Sequence, residues 1–340
     1  MVGKFIYYHF GNMLKKEVLY GLQDVIIIPA VSTDIKSRKE CNPFRKGIEG
    51  QENFYPLIAS PMDSVLDENN WRAYWDNRIS CIIPRTVSYE TRIKLCDTVF
   101  CAFGLDEVTK LCYRDDLDVD KKYYILIDIA NGQMQEELRV GRFLKENLNC
   151  ILMGGNIAHP ATYLLYDSAG FDFIRCSVGD GNGCLTTKKT GVGYPAASLI
   201  SEISEMKYRY HSHCKIIADG GMTDNDLICK ALALGADYVM CGYLFAKAAK
   251  TEEELGKTLV YRGMSTKEAQ KAMGNTVLKT AEGKSFEVKK EYTLSGWIEN
   301  FNDNLRSSMS YCDSRSLKEY REKAICHPTS PSYSRIINNK

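Results

Sequence analysis

From Tyr55 onward, short apolar runs alternate with amphipathic stretches. The runs read PLIASPM, SCIIPR, VFCAFG, YYILIDIAN, CILMGGN, FIRCSVGDG, KIIADGG and DYVMCGY. Each is nearly continuous in apolar residues, the pattern of strands buried on both faces. The stretches between them, such as MQEELRVGRFLKENL and NDLICKALALGA, place apolar residues at helical spacing. Alternating strand and helix predicts a parallel sheet. Eight such units predict a closed (β/α)8 barrel, with an open doubly wound sheet as the main alternative. A further strand is predicted earlier, in DVIIIPAV at Asp24 to Val31, before the chain turns polar.

Many of the runs end in small or polar residues: Ser60-Pro61-Met62-Asp63, Pro84-Arg85, Asp128-Ile129-Ala130-Asn131, Gly154-Gly155-Asn156, Asp219-Gly220-Gly221 and Gly242-Tyr243. In a barrel these ends converge on one rim, where catalytic groups collect. A single Asp in such a place is more often the cap of the next helix. After Ala249 the regular beat stops. Residues 262–292 are polar and rich in Lys, Gly and Thr, which suits an active-site flap or, equally on composition, a disordered surface loop. Helical spacing returns in SGWIENFNDNLRSSMSYC. The predicted organisation is a single barrel domain over residues 1–320, with its flap at 262–292, and an extended tail at 321–340.

The stretch GDGNGCLTTKKTGVGYP, Gly179 to Pro195, holds the strongest candidate chemistry. Three glycines crowd before Cys184, and a hydroxyl, Thr186, follows two residues later. Glycine lets backbone approach a ligand closely. A lone cysteine is more often a small, inert core residue, but a polar loop after an apolar strand is poor ground for one.

Composition narrows the partners. Lys and Arg number 44 against 43 Asp and Glu, so no overall charge draws the chain to nucleic acid or a membrane. The 13 cysteines are scattered, show no zinc spacing and sit mostly in apolar runs, which implies reduced thiols and a cytoplasmic setting. The N-terminal MVGKFIYYHFGNMLKKE lacks the apolar run of a signal peptide, and no stretch is long enough to span a membrane.

The motifs IASPMDSV, DIANG, MGGN, the cysteine loop with KTGVGYP, IADGGM, ADYVMCG, YRGMS and EGK occur in one order over roughly residues 24 to 315. In these the chain resembles the family of inosine monophosphate dehydrogenase and guanosine monophosphate reductase, closer to the reductase. The resemblance implies a (β/α)8 barrel, usually a homotetramer, acting on a purine mononucleotide with NADPH, or with NAD for a dehydrogenase. The paired regulatory modules of many dehydrogenases are absent between Arg85 and the next strand. The only Arg-Tyr pair, Arg209-Tyr210, lies away from the flap, where dehydrogenases use such a pair to activate water. An IMP dehydrogenase without the regulatory insert, and a purine-nucleotide sensor without turnover, remain the alternatives.

By the same resemblance Cys184 is the nucleophile, and Thr186 with Glu282 handles its proton traffic; taken alone, Glu282 would read as a solvated flap residue. Asp219 would accept from the ribose hydroxyls. Asn182, Gly220, Gly221, Gly242 and Tyr243 would hold the phosphate, with Gly263, Met264, Ser265 and Gly283 around the base. Arg85, Asp128, Ile129, Ala130, Asn131, Asn156 and Gly179 would border the nicotinamide. Carbonyls of Gly179, Gly181 and Cys184 form a potassium site in many relatives. The loop departs from the family at Asp180, Asn182 and Gly183, where Pro, Ser and then Val or Ile are usual. Those departures leave open a deoxy or modified purine nucleotide.

Overall fold

The computed structural model describes residues 18–118 and 120–338. The N-terminal stretch read against a signal peptide, residues 1–17, lies outside the described residues. All eight apolar runs become strands of one closed parallel barrel. They are Leu57–Ala59, Ser80–Ile83, Phe100–Phe103, Tyr123–Ile127, Cys150–Ile157, Phe173–Cys176, Lys215–Asp219 and Tyr238–Cys241. Closure comes where the first strand pairs with the last, Leu57 opposite Val239 and Ala59 opposite Cys241.

The two-residue period of a strand divides the side chains between two cores. Inside the barrel lie Ile58, Ile82, Phe100, Leu126, Met153, Phe173, Ile217 and Met240, plugged by Ile48. Outward-facing Leu57, Cys81, Cys101, Ile125, Leu152 and Ile216 pack under the helices. Both sets are fully or almost fully buried, and each large apolar side chain so removed from water is worth about 1.5–3 kcal/mol. The helical spacing read from sequence is realised in Gln135–Asn147, Ala196–Arg209 and Asn225–Ala233. The last is buried along most of its length, because Leu294–Tyr311 and Leu317–Lys323 pack against it from outside.

The C-terminal segment is not an extended tail. Residues Ile325–Pro328 pair antiparallel with Val25–Ile28, Ile28 opposite Ile325 and Val25 opposite Pro328, and a helix follows over Pro331–Asn338. The early strand stands outside the barrel with an unpaired edge, and Ile325 and Cys326 supply the chain that covers it. Pro328 falls at the strand end, where its missing N–H costs no ladder bond. The flap is ordered as well. Thr258–Arg262 pairs antiparallel with Ser285–Lys289, enclosing a helix at Lys267–Ala272 capped by the Thr266 hydroxyl. Among the described residues no helix is long and apolar enough to cross a membrane.

Candidate active site

The C-terminal ends of the strands and the flap enclose a cavity of about 680 Å³, within the range of about 300–1,000 Å³ usual for small-molecule sites. Its walls include Arg85, Asp128, Ile129, Ala130, Asn131, Asn156, Gly179, Gly181 and Asn182. Cys184, Thr186, Asp219, Gly220, Gly221, Gly242, Tyr243, Gly263, Met264, Ser265 and Glu282 complete them. Of the residues given a role in the site by the resemblance, Gly283 alone stands behind the wall, where it bridges to Cys184; of the strand-end residues, Asp63, Pro84, Gly154 and Gly155 also lie off the wall. Residues more than 200 positions apart in sequence thus share one enclosure.

At its centre three side chains form a chain of hydrogen bonds. The Cys184 thiol donates to Thr186 Oγ1 at 3.3 Å, and the Thr186 hydroxyl donates to Glu282 Oε2 at 2.8 Å. Backbone fixes this arrangement. The Leu185 amide donates to the Glu282 carbonyl at 2.6 Å, and the Lys284 amide to the Gly183 carbonyl at 2.9 Å. Lys189 Nζ donates to the Ala281 carbonyl. The flap is therefore stitched to the cysteine loop on both sides of Glu282. A hydroxyl between a thiol and a carboxylate can pass a proton in either direction without a large movement.

All 13 cysteines are free and ten are buried, which separates them chemically. Burial pushes the thiols of Cys81, Cys101 and Cys214 well up, and holds them protonated and inert. Cys184 is partly exposed and opens on the cavity, unlike the partly exposed Cys112 and Cys326.

A second cluster lies deeper. The Arg175 guanidinium donates to Asp128 Oδ1 at 2.7 Å and to the Gly155 carbonyl at 3.1 Å, and stands 3.7 Å from Asp219. Asn156 Nδ2 donates to the same Asp219 carboxylate at 2.8 Å. Burial pushes the Asp219 carboxyl up, and the charge of Arg175 opposes that push. Arg175 thus ties the strand end proposed for the nicotinamide to the one proposed for the ribose. A lone charge within the apolar run FIRCSV was the signal for it, and it was not read as a site residue. Tyr261, Ser177, Met273 and Lys279 also line the cavity without having been singled out.

Of the loop's three unusual residues, Asp180 is the one held by a side-chain hydrogen bond. Ser177 holds φ 129°, a region that favours glycine, and its hydroxyl donates to Asp180 Oδ2 at 2.7 Å. Burial pushes the Asp180 carboxyl up, against that hydrogen bond. Gly220 and Gly221, both at positive φ, face Asp180 and Gly181: a Cβ on Gly220 would lie 3.0 Å from the Gly181 amide nitrogen, and one on Gly221 3.4 Å from the Asp180 carbonyl. Gly179, at φ +96°, faces Thr187 so closely that a Cβ would lie 1.8 Å from its hydroxyl.

Fold and cavity together define a (β/α)8 barrel with its candidate chemistry at the C-terminal mouth, built from a thiol, a hydroxyl and a flap carboxylate. Residues 104–334 match the IMP dehydrogenase / GMP reductase domain model. Known relatives agree over most of their length. The chain is 28% identical to a GMP reductase of Buchnera aphidicola subsp. Baizongia pistaciae, covering 96% of this chain and 98% of that one. It is 28% identical to a GMP reductase of Onchocerca volvulus (92% and 91% covered) and 28% identical to one of Vibrio cholerae (91% and 94% covered). The chain belongs to the IMP dehydrogenase / GMP reductase family and is an enzyme.

Proposed function

We propose that the protein catalyses the reductive deamination of GMP to IMP and ammonia, with NADPH as reductant. The observation that carries this reading is the Cys184–Thr186–Glu282 chain of hydrogen bonds closed by the flap. The Cys184 sulfur forms a bond to purine C2 while its proton passes to Thr186 and Glu282. Returned along the same path, a proton reaches the 2-amino group, the C2–N bond breaks and ammonia leaves. The nicotinamide cofactor, when bound, supplies a hydride to C2. The C2–S bond then breaks, and the electron pair returns to Cys184 sulfur.

The cavity fits such a cofactor: Ile129, Ala130 and Met134 give it an apolar wall, and the buried Arg175 Nε has no hydrogen-bond partner. Asp128, Asn131, Asn156, Arg85 and Gly179 would border it. Asp219 would accept from the ribose. Asn182, Gly220, Gly221, Gly242 and Tyr243 would hold the phosphate, and Gly263, Met264, Ser265 and Gly283 would frame the base. For a potassium ion the loop supplies carbonyls of Gly179, Gly181 and Cys184, although the Gly181 carbonyl already accepts the Cys184 amide at 2.8 Å. A homotetramer in the cytoplasm completes the proposal.

The composition of the flap supports this direction of reaction. Fast hydrolysis of a thioimidate-bound nucleotide needs a strong water-activating base, and residues 262–292 contain no adjacent Arg-Tyr pair. Arg209-Tyr210 ends the helix Ala196–Arg209, in the wrong element for that task. Rates with GMP and NADPH should exceed those with IMP and NAD. Steady XMP formation at the higher rate would make the enzyme a dehydrogenase.

A further inference from the structure

A second cavity, of about 420 Å³, lies against the flap's first strand and shares no lining residue with the first. Four cations line it: Lys250, Lys257, Arg262 and Lys290. Only two carboxylates do, Asp63 and Glu254. Asp63 is committed to an ion pair with Arg262. Glu254 Oε2 accepts the Lys250 amide at 2.9 Å and stands 3.7 Å from Lys290 Nζ. No carboxylate pairs with the Lys250 ammonium among the described residues. It sits 5.5 Å above the ring of Tyr74 instead.

Lys257 is exposed, but Lys250 and Lys290 are not lysines of a solvated face. Lys290 is 7% exposed and donates to the Ala248 carbonyl at 2.8 Å. Burial, and then the neighbouring charge of Lys290, push the Lys250 amine down to about 7. A surface lysine would extend its ammonium to water and escape this cost. The Ser64 hydroxyl, also on the cavity wall, is buried without a hydrogen-bond partner. Two crowded ammonium groups and an unused hydroxyl therefore face one recess.

We propose that this cavity binds the phosphate group of a small phosphate monoester. A bound phosphate dianion would offset the repulsion between Lys250 and Lys290 and favour the charged form of Lys250, and its oxygens can accept from Lys250, Lys290 and Ser64 together. A singly charged carboxylate would offset less of that repulsion. The remaining volume is bordered by Val65, Leu259 and Val260, which suits an organic group on the ester. The proposal is independent of the reaction assigned to the first cavity.

The test is calorimetric titration of the full chain with phenyl phosphate, with benzoate as the singly charged control. Lys250→Met with Lys290→Met should weaken phenyl phosphate binding by about tenfold or more, the loss expected for charge-assisted hydrogen bonds. Thermal melting should show the double variant folded, since it removes a repulsion. Should it fail to fold, two single changes of opposite sign decide instead. Ser64→Ala should weaken binding, and Glu254→Gln should tighten it by removing the competing carboxylate. Absence of binding, binding untouched by these changes, or benzoate binding as tightly as phenyl phosphate would each overturn the proposal.

Discussion

The proposed mechanism gives Cys184, Thr186 and Glu282 separable tasks, so their variants should fail differently. Cys184→Ala should leave the fold intact, because the side chain is small and partly exposed, and lower turnover by on the order of 10³-fold or more; folded protein with near wild-type rates would exclude the nucleophile. Glu282→Gln should lower kcat by about 10²–10⁴-fold, the usual share of general acid–base catalysis, with nucleotide affinity nearly unchanged. Steady-state kinetics with an ammonia readout measures both parts. Arg175→Leu should cost about 3–5 kcal/mol in a denaturant titration, because Asp128 and Asp219 would be left in a buried site without their cation. Glu282 was reached only through the resemblance of EGK to the family motif, whereas Cys184 and Thr186 were legible in sequence, since glycines and hydroxyls around a thiol are unusual. Arg175 and Ser177 were not, since one charge in an apolar strand and one serine in a glycine-rich loop look like ordinary variation until the backbone angles and partners are known.

The strand–helix beat carried the barrel because parallel strands buried on both faces leave a continuous apolar trace. What the trace could not carry was pairing at a distance. The strand Val25–Ile28 was readable, but its partner Ile325–Pro328 lies in a polar, proline-bearing segment some 300 residues on. The flap posed the same difficulty, because its order comes from docking on the cysteine loop rather than from its own composition. Its attachment depends on the loop's shape, and Gly179 sets that shape. Gly179→Ala would place a Cβ against Thr187 at a backbone angle alanine resists. The expected result is activity reduced at least as far as in Glu282→Gln, with the barrel's far-UV circular dichroism preserved. Wild-type activity in that variant would show that the loop tolerates a different path.

Across the whole molecule, the barrel's closed end holds an ionisable group that the chemistry does not use. Glu49 is partly buried, its carboxyl tucked beside Phe100 and Ser80; its buried Oε2 lacks a hydrogen-bond partner, and loss of water around the carboxyl pushes it up to about 8. A raised carboxyl binds its proton more tightly folded than unfolded. Its contribution is therefore fully present below the ordinary glutamate range and is lost as pH rises toward 8. Glu49→Gln should flatten the fall in unfolding free energy between pH 5 and pH 8, read by denaturant titration, by an amount on the order of a few kcal/mol. Asp237 acts with the opposite sign. Burial raises its carboxyl, but Lys207, Arg321 and Arg45 outweigh burial and hold it well below the usual range. The stability it lends is present above the ordinary carboxylate range and disappears as pH falls through and below it. Activity and stability thus respond to different groups at opposite ends of one barrel. The reaction itself is tested most directly by its stoichiometry. Wild-type protein given GMP and NADPH should release one ammonia and one IMP for each NADPH oxidised, and Cys184→Ala should release none. Saturable GMP binding with no NADPH oxidation and no ammonia would contradict the proposed reductive deamination.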